Sequence, residues 1–155
     1  MEISRGTRNT VITAGLGLAL WLGGASRGEA VERTLRIEAP ATVRESQPLA
    51  VIISASTDAG QGEQVGFLQV EASIDGGRSW TALCYLEKSG PRVAQTATVM
   101  PGPAGTTVML RARAAFRDGL AGDVDFAGAA LRWHATWKAW SEPPARLASI
   151  AVTAR

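Results

Sequence analysis

The sequence has little of the residue types that build disulfides and metal sites, with one cysteine, Cys84, and one histidine, His134. A single cysteine excludes a disulfide within the chain, so the fold must depend on its apolar core. Cys84 fits a small buried side chain in a strand, and a reactive thiol or a disulfide to another chain is the alternative. A lone histidine without paired cysteines cannot complete a zinc site. Neither a C-x-x-C-H haem motif nor a G-x-S-x-G nucleophile motif is present, so we expect no cofactor, no metal site and no catalytic residue.

Runs of basic residues are also missing. The formal net charge is +2, acidic and basic residues alternate along the chain, and the only lysines are Lys88 and Lys138. This pattern argues against binding to nucleic acid. Asp118, Asp123 and Asp125 flank a glycine-rich stretch, but their spacing does not match a calcium-binding loop, so we expect solvated loop acids.

The first thirty residues have the pattern of an export signal. Arg5 and Arg8 precede an uncharged apolar run over 11–22, and small residues follow at 23–25. Cleavage after Ala25 or Ala30 fits this pattern, and a retained N-terminal membrane anchor over 1–30 is the alternative. We therefore expect an exported protein, periplasmic or otherwise extracytoplasmic, with one domain over 31–155.

Alternating polar and apolar residues predict that this domain is all-β. Leu35 and Ile37 alternate with Arg36 and Glu38, for example, as in a strand with one buried face. The run over 49–56 is apolar and β-branched, which predicts a central strand. Seven strands are predicted in all, over 33–39, 49–56, 65–74, 80–86, 93–100, 106–116 and 145–153. Their even spacing and turn residues favour a β-sandwich.

One segment, 126–140, is compatible with either a helix or a strand. Trp133, Trp137 and Trp140 are spaced as a helical stripe, and Asp125 could cap the helix, but Trp133 and Trp137 would also share one face of a strand. We expect a short helix, within an insertion over 117–144 that precedes the last strand.

The most specific motif is the stretch SIDGGRSW, between the third and fourth strands. Ser73, Asp75, Gly77, Ser79 and Trp80 match the Asp-box pattern, and the motif also resembles a hairpin in the immunoglobulin-like domain of sulfite oxidase-type enzymes. The WSEPP stretch and the strand after it resemble the end of a fibronectin type III module. These resemblances imply an immunoglobulin- or fibronectin III-like sandwich. They also imply a structural turn in which Asp75 accepts hydrogen bonds from backbone N–H groups and Trp80 packs over the turn.

Three tryptophans within eight residues suggest a contact surface, and a small satellite core is the alternative. The predicted surface comprises Trp133, Trp137, Trp140, Arg132 and Lys138. The sequence therefore predicts a non-catalytic, exported accessory or structural subunit that binds a protein partner in an envelope or membrane-associated complex, with possible contact to a membrane surface. A carbohydrate-binding module is the alternative.

Overall fold

The computed structural model describes residues 30–132 and 143–154. This part of the chain forms eight β-strands and no helix. They are β1 (Arg33–Glu38), β2 (Thr42–Arg44), β3 (Leu49–Thr57), β4 (Gln64–Ser73), β5 (Thr81–Glu87), β6 (Arg92–Val99), β7 (Thr107–Arg117) and β8 (Arg146–Thr153). Each of the seven predicted strands is present to within about a residue at either end.

The strands form two sheets packed face to face. One sheet has three strands in the order β1-β3-β6, and the other has five in the order β2-β8-β7-β4-β5. Neighbouring strands are antiparallel except for β2 and β8, which are parallel. The protein is thus an immunoglobulin-like β-sandwich, as predicted. The additional strand, β2, lies between the first two predicted strands, and it is three residues long with one buried side chain, Val43.

The core lies between the sheets and is built from alternate residues of the long strands. Val51 and Ile53 of β3 face Leu68 and Val70 of β4 and Leu110 of β7, and all five side chains are fully buried. At about 25 cal/mol per Å² of apolar surface removed from water, such side chains supply most of the folding free energy of a domain without a disulfide.

The prediction that the run over 49–56 forms a central strand is confirmed, because β3 lies between β1 and β6 in the three-stranded sheet. The burial of β3 alternates strictly, with Val51, Ile53 and Ala55 inward and Ile52, Ser54 and Ser56 at least partly accessible. A continuous apolar run indicates double burial only when both faces of the sheet are covered, and here one face packs on the core. The other face of the three-stranded sheet therefore carries a surface of its own.

Residues 126–132 do not form the predicted helix. The Asp125 carboxylate accepts hydrogen bonds from the N–H groups of Ala127 and Ala129, and Gly128, with φ of 84°, turns the chain out of helical geometry. A short antiparallel bridge between Val124 and Ala130 follows. Asp125 is also buried, at 5% exposure, so it is not the solvated acid that we expected. Residues 133–140 of the predicted helix lie outside the described residues.

The described residues contain no helix with the length and apolarity needed to cross a bilayer. Residues 1–29, which carry most of the predicted export signal or anchor, lie outside the described part of the chain.

Candidate functional site

An open polar groove of about 400 Å³ runs across the outer face of the three-stranded sheet. Its floor consists of outward-facing residues of β1, β3 and β6. The residues that give it its chemistry are Thr34, Arg36, Ser54, Ser56 and Arg92, with Glu32 and Asp58 at one end.

The middle of the floor is a set of hydroxyl groups. Thr34 lies opposite Ser56 in the β1–β3 register, and their hydroxyl oxygens are 2.8 Å apart. Ser54 lies two residues before Ser56 on β3, on the same face of the sheet. Hydroxyl groups both donate and accept hydrogen bonds, so this floor can adapt to a polar ligand.

Two arginines stand on either side of the hydroxyl floor. Arg36 on β1 is opposite Ser54, and Arg92 on β6 is opposite Ser56. Because neighbouring strands are about 4.8 Å apart, the two strands that carry these arginines are separated by about 10 Å, within reach of two long side chains. Both residues are exposed. Neither guanidinium group makes a hydrogen bond or ion pair with any residue that the structure describes.

One end of the groove is acidic. Glu32 precedes β1 and Asp58 follows β3, and the Asp58 carboxylate accepts a hydrogen bond of 2.7 Å from the Glu32 N–H group. The cationic middle and the acidic end make the groove directional. A negatively charged group is favoured between the arginines and disfavoured beside the carboxylates.

A buried ion pair fixes the backbone beneath this end of the groove. Thr57 lines the groove, and its hydroxyl donates a 2.6 Å hydrogen bond to Glu63. The Glu63 carboxylate also accepts two 2.7 Å hydrogen bonds from the Arg33 guanidinium group. Burial raises the pKa of Glu63, but the hydrogen bonds from Arg33 and Thr57 outweigh it and hold that pKa below its ordinary value. The hydrogen bond to Glu63 raises the pKa of Arg33, so both groups stay charged.

The SIDGGRSW turn lies away from this groove, at the end of the β4–β5 hairpin. The Asp75 carboxylate accepts hydrogen bonds of 3.0 Å from the N–H groups of Arg78 and Ser79 and one of 2.6 Å from the Ser79 hydroxyl. The Ser73 hydroxyl donates to Asp75 and accepts from the Gly77 N–H group. These bonds, first among them that of the Ser79 hydroxyl, hold the pKa of Asp75 well below its ordinary range.

Trp80 closes this turn. Its ring lies close to Gly77, which has φ of 85°, and the Arg111 guanidinium group stands 4.1 Å above the ring centroid. Arg111 in turn donates to Glu71. The Asp75 carboxylate and the hydroxyl groups of Ser73 and Ser79 all bond within the turn, which indicates a structural role for this motif.

Of the residues predicted to bind a partner, only Arg132 lies in the described part of the chain, and it is exposed. Trp133, Trp137, Trp140 and Lys138 lie outside the described residues, so this contact surface stays a prediction.

Sequence reasoning missed the groove. It placed Arg36 on the face of its strand opposite to Leu35 and Ile37, but it assigned no face to Ser54 and Ser56 and did not consider Arg92. The strict alternation of burial along β3 was the missing signal, because it turns both serines toward the same face as Arg36.

Comparisons with known proteins give a limited result. No family model matches the sequence, and no curated protein matches it. Among solved structures, a superoxide reductase (neelaredoxin) from Ignicoccus hospitalis is similar, at 17% identity and a TM-score of 0.47, with 83% of this chain and 88% of that chain covered. A substituted form of that protein gives 17% identity, a TM-score of 0.46, and coverage of 78% and 82%.

These matches correct the functional prediction. Both similar structures are enzymes, so the prediction of a non-catalytic accessory subunit, or else a carbohydrate-binding module, is wrong and is not retained. At 17% identity the likeness is one of fold alone, and neither substrate nor reaction carries over to this chain.

The residues do not fit a metal centre of the kind that redox chemistry uses. One-electron chemistry in proteins depends on a metal ion or an organic cofactor. Residues 30–132 and 143–154 contain no group of three or more histidine, cysteine, aspartate or glutamate side chains that could hold a metal ion. The whole sequence offers one histidine and one cysteine, too few for a centre with several nitrogen or sulfur ligands. The groove between Arg36 and Arg92 is therefore the site with the clearest chemistry.

Proposed function

We propose that this domain binds acidic side chains of a partner protein in the groove between Arg36 and Arg92. The observation that carries the proposal is the pair of guanidinium groups, both without a partner in the described part of the chain, on either side of a hydroxyl floor. Guanidinium groups bind carboxylates through two parallel hydrogen bonds, and these bonds are roughly twice as strong as neutral ones.

The contrast with other arginines supports this assignment. Arg33, Arg111 and Arg113 form ion pairs with glutamates of this chain, at Glu63 and Glu71. Arg36 and Arg92 also lie on strands, but neither forms an ion pair with an acid that the structure describes. A carboxylate of another molecule would form the corresponding ion pairs with Arg36 and Arg92.

The shape of the groove favours a protein partner over a small anion. The groove is open along its length on the face of a sheet, whereas pockets for small ligands bury most of the ligand surface. An open face with charge on it suits a side chain that a larger molecule presents, because the rest of the contact then excludes water. If residues 1–30 direct export, as the sequence predicts, the partner is an extracytoplasmic protein.

The proposal is tested with a fluorescein-labelled octapeptide of glutamate, with binding followed by fluorescence anisotropy in low salt. The double variant R36A/R92A should bind at least about tenfold more weakly, because about 1.4 kcal/mol corresponds to a factor of ten and two charge-assisted contacts are lost. Raising the ionic strength should weaken binding by the wild-type protein, because exposed charges are screened.

The matched control is the double variant R44A/R78A, which removes two other exposed arginines and so the same net charge. Equal loss in both double variants would mean that the peptide follows net charge, and the proposal would be wrong. Competition by inorganic phosphate at the concentration of the peptide would overturn the choice of a protein partner and favour a small anion.

A further inference from the structure

We infer that the partner adds an extended segment to the open edge of β6, so that the three-stranded sheet gains a fourth strand. This inference rests on the proposed function, because Arg92 belongs to both sites. It adds the conformation of the partner, the edge that the partner pairs with and a second side chain that the partner must carry.

The backbone of β6 presents unpaired groups on one side. Within residues 30–132 and 143–154 the strand pairs with β3 alone, over eight residues in unbroken register. The Thr57 N–H group donates a 3.0 Å hydrogen bond to the carbonyl of Pro91, just before β6. Thr57 and Pro91 are therefore a hydrogen-bonded pair of the antiparallel ladder. Because such pairs alternate in an antiparallel ladder, the N–H and C=O groups of Arg92, Ala94, Thr96 and Thr98 point away from β3, to the open edge.

One hydrogen bond supports this direction. The Thr96 carbonyl accepts a 3.1 Å hydrogen bond from the side-chain amide of its own neighbour, Gln95, and not from another strand. A carbonyl that points to β3 would be used within the ladder. The edge groups of β6 are thus available to a further strand.

The other sheet edges are less suited to strand addition. Proteins protect edges with charges, with bulges or by keeping the edge strand short. Strand β1 carries Arg33, Arg36 and Glu38 within six residues, β2 is three residues long, and the register of β5 is broken between Val70 and Glu71 of β4. In β6, by contrast, the only charged residue is Arg92 at its start.

A small cleft at the far end of β6 indicates a second requirement. It has a volume of about 200 Å³, lies between β5 and β6, and is lined by Leu83, Val99 and Met100 among others. Met100 is 56% exposed there. A strand beside β6 would place the residue opposite Val99 between the sheets, next to this cleft, and an apolar side chain at that position would remove apolar surface from water.

Charge and spacing then define the partner segment. A residue opposite Arg92 would lie on the outer face, where an acidic side chain pairs with the guanidinium group. Seven residue steps separate this position from the one opposite Val99, or about 23 Å along a strand. The segment is therefore an extended polypeptide with an apolar residue at its N-terminal end and an acidic residue seven positions later, if it runs antiparallel to β6. Main-chain hydrogen bonds supply affinity in this mode, and the two side chains supply specificity.

The test uses an acetylated and amidated octapeptide that begins with leucine, ends with glutamate and has serine and threonine between them. Two further versions of this peptide carry N-methyl groups on every second backbone amide. One version is methylated at the odd-numbered residues and the other at the even-numbered residues. We expect one methylated version to bind about tenfold more weakly, since it loses several edge hydrogen bonds, and the other to bind as the parent does. Equal affinity of all three versions for the wild-type protein would overturn strand addition.

A protein variant gives an independent readout. Ala94→Pro removes an N–H group that faces the open edge, a position where a strand tolerates proline, and should weaken the parent peptide with little change in melting temperature. Loss of affinity in R36A/R92A without any effect of N-methylation would leave the proposed function standing and refute the edge. Sensitivity to N-methylation without an effect of R36A/R92A would refute the proposed function and leave strand addition at the β6 edge standing. Light scattering would reveal a dimer of the wild-type protein if a second copy occupies the edge. If Ala94→Pro dissociates such a dimer, the assignment of the edge to a segment of another protein is wrong.

Discussion

At the scale of single residues, the chain uses its polar groups in two ways. Asp75 is surrounded by donors from its own turn, all within four residues of it in sequence. Because every partner is local, the sequence motif alone was enough to suggest this geometry. Arg36 and Arg92 have no local partner, and no motif marks them.

Replacing Asp75 by alanine should lower the melting temperature of the protein at neutral pH, because four donors of the turn lose their acceptor. The folded-state pKa of Asp75 lies below its ordinary value of 3.8. Its contribution to stability is therefore present above that ordinary value and is lost as the pH falls through the folded-state value.

Thermal unfolding monitored by circular dichroism measures this effect, with Glu38→Ala as an exposed acidic control. The difference between wild type and Asp75→Ala should shrink in acid. A melting temperature as little affected as that of Glu38→Ala would contradict the structural role of the turn.

At the scale of elements, the alternation of polar and apolar residues predicted the positions of seven strands. It did not predict which strands pair with each other in the sheets. The pairings Arg36–Ser54 and Ser56–Arg92 join residues that are 18 and 36 positions apart. Nothing local in the sequence specifies such a register, so a site made by three strands could not be predicted even though each strand was.

Two errors at this scale have different physical origins. Residues 126–132 have the alanine content of a helix, but Asp125 and Gly128 form a tight turn that ends any helix there. Strand β2 is too short for alternation to be visible, and it exists because β8 lies beside it. A local side-chain turn decided the first case, and a tertiary contact with β8 decided the second.

The buried pair of Arg33 and Glu63 joins β1 to the start of β4 and should be a strong determinant of stability. Replacing Glu63 by alanine leaves the Arg33 guanidinium group buried without its partner, and we expect a loss of about 3 kcal/mol in the free energy of unfolding. Urea denaturation measures this loss.

Glu63→Gln is the matched variant, because it keeps the shape of the side chain and should cost less than Glu63→Ala. A loss for Glu63→Ala no larger than that for the exposed control Glu38→Ala would show that the pair contributes nothing to the fold.

At the scale of the whole molecule, the sandwich has outer faces of different kinds. On the five-stranded sheet, Glu71 is shared by Arg111 and Arg113, so these charges are paired. On the three-stranded sheet, Arg36 and Arg92 form no ion pair with any residue that the structure describes. The proposed binding is therefore assigned to this side of the domain.

Acid should destabilise the folded domain through Glu63, whose pKa lies below its ordinary value of 4.5. A carboxyl group of this kind stabilises the fold above its ordinary pKa, and this stabilisation disappears as the pH falls through the folded-state value. The raised pKa of Arg33 adds nothing in this range, because arginine stays protonated in both states.

Below about pH 4.5, the free energy of unfolding of Glu63→Gln should therefore vary less steeply with pH than that of the wild type. Urea denaturation at a series of acidic pH values gives both slopes. Parallel slopes would place the acid sensitivity elsewhere in the chain.

The most direct test of the central claim is to observe the two guanidinium groups themselves. Two-dimensional NMR of the arginine Nε–H groups, recorded while the glutamate octapeptide is added, reports on each arginine separately. We predict saturable shifts for Arg36 and Arg92, with Arg44 and Arg78 nearly unchanged. Shifts of equal size in all four exposed arginines, or none in Arg36 and Arg92, would contradict the account.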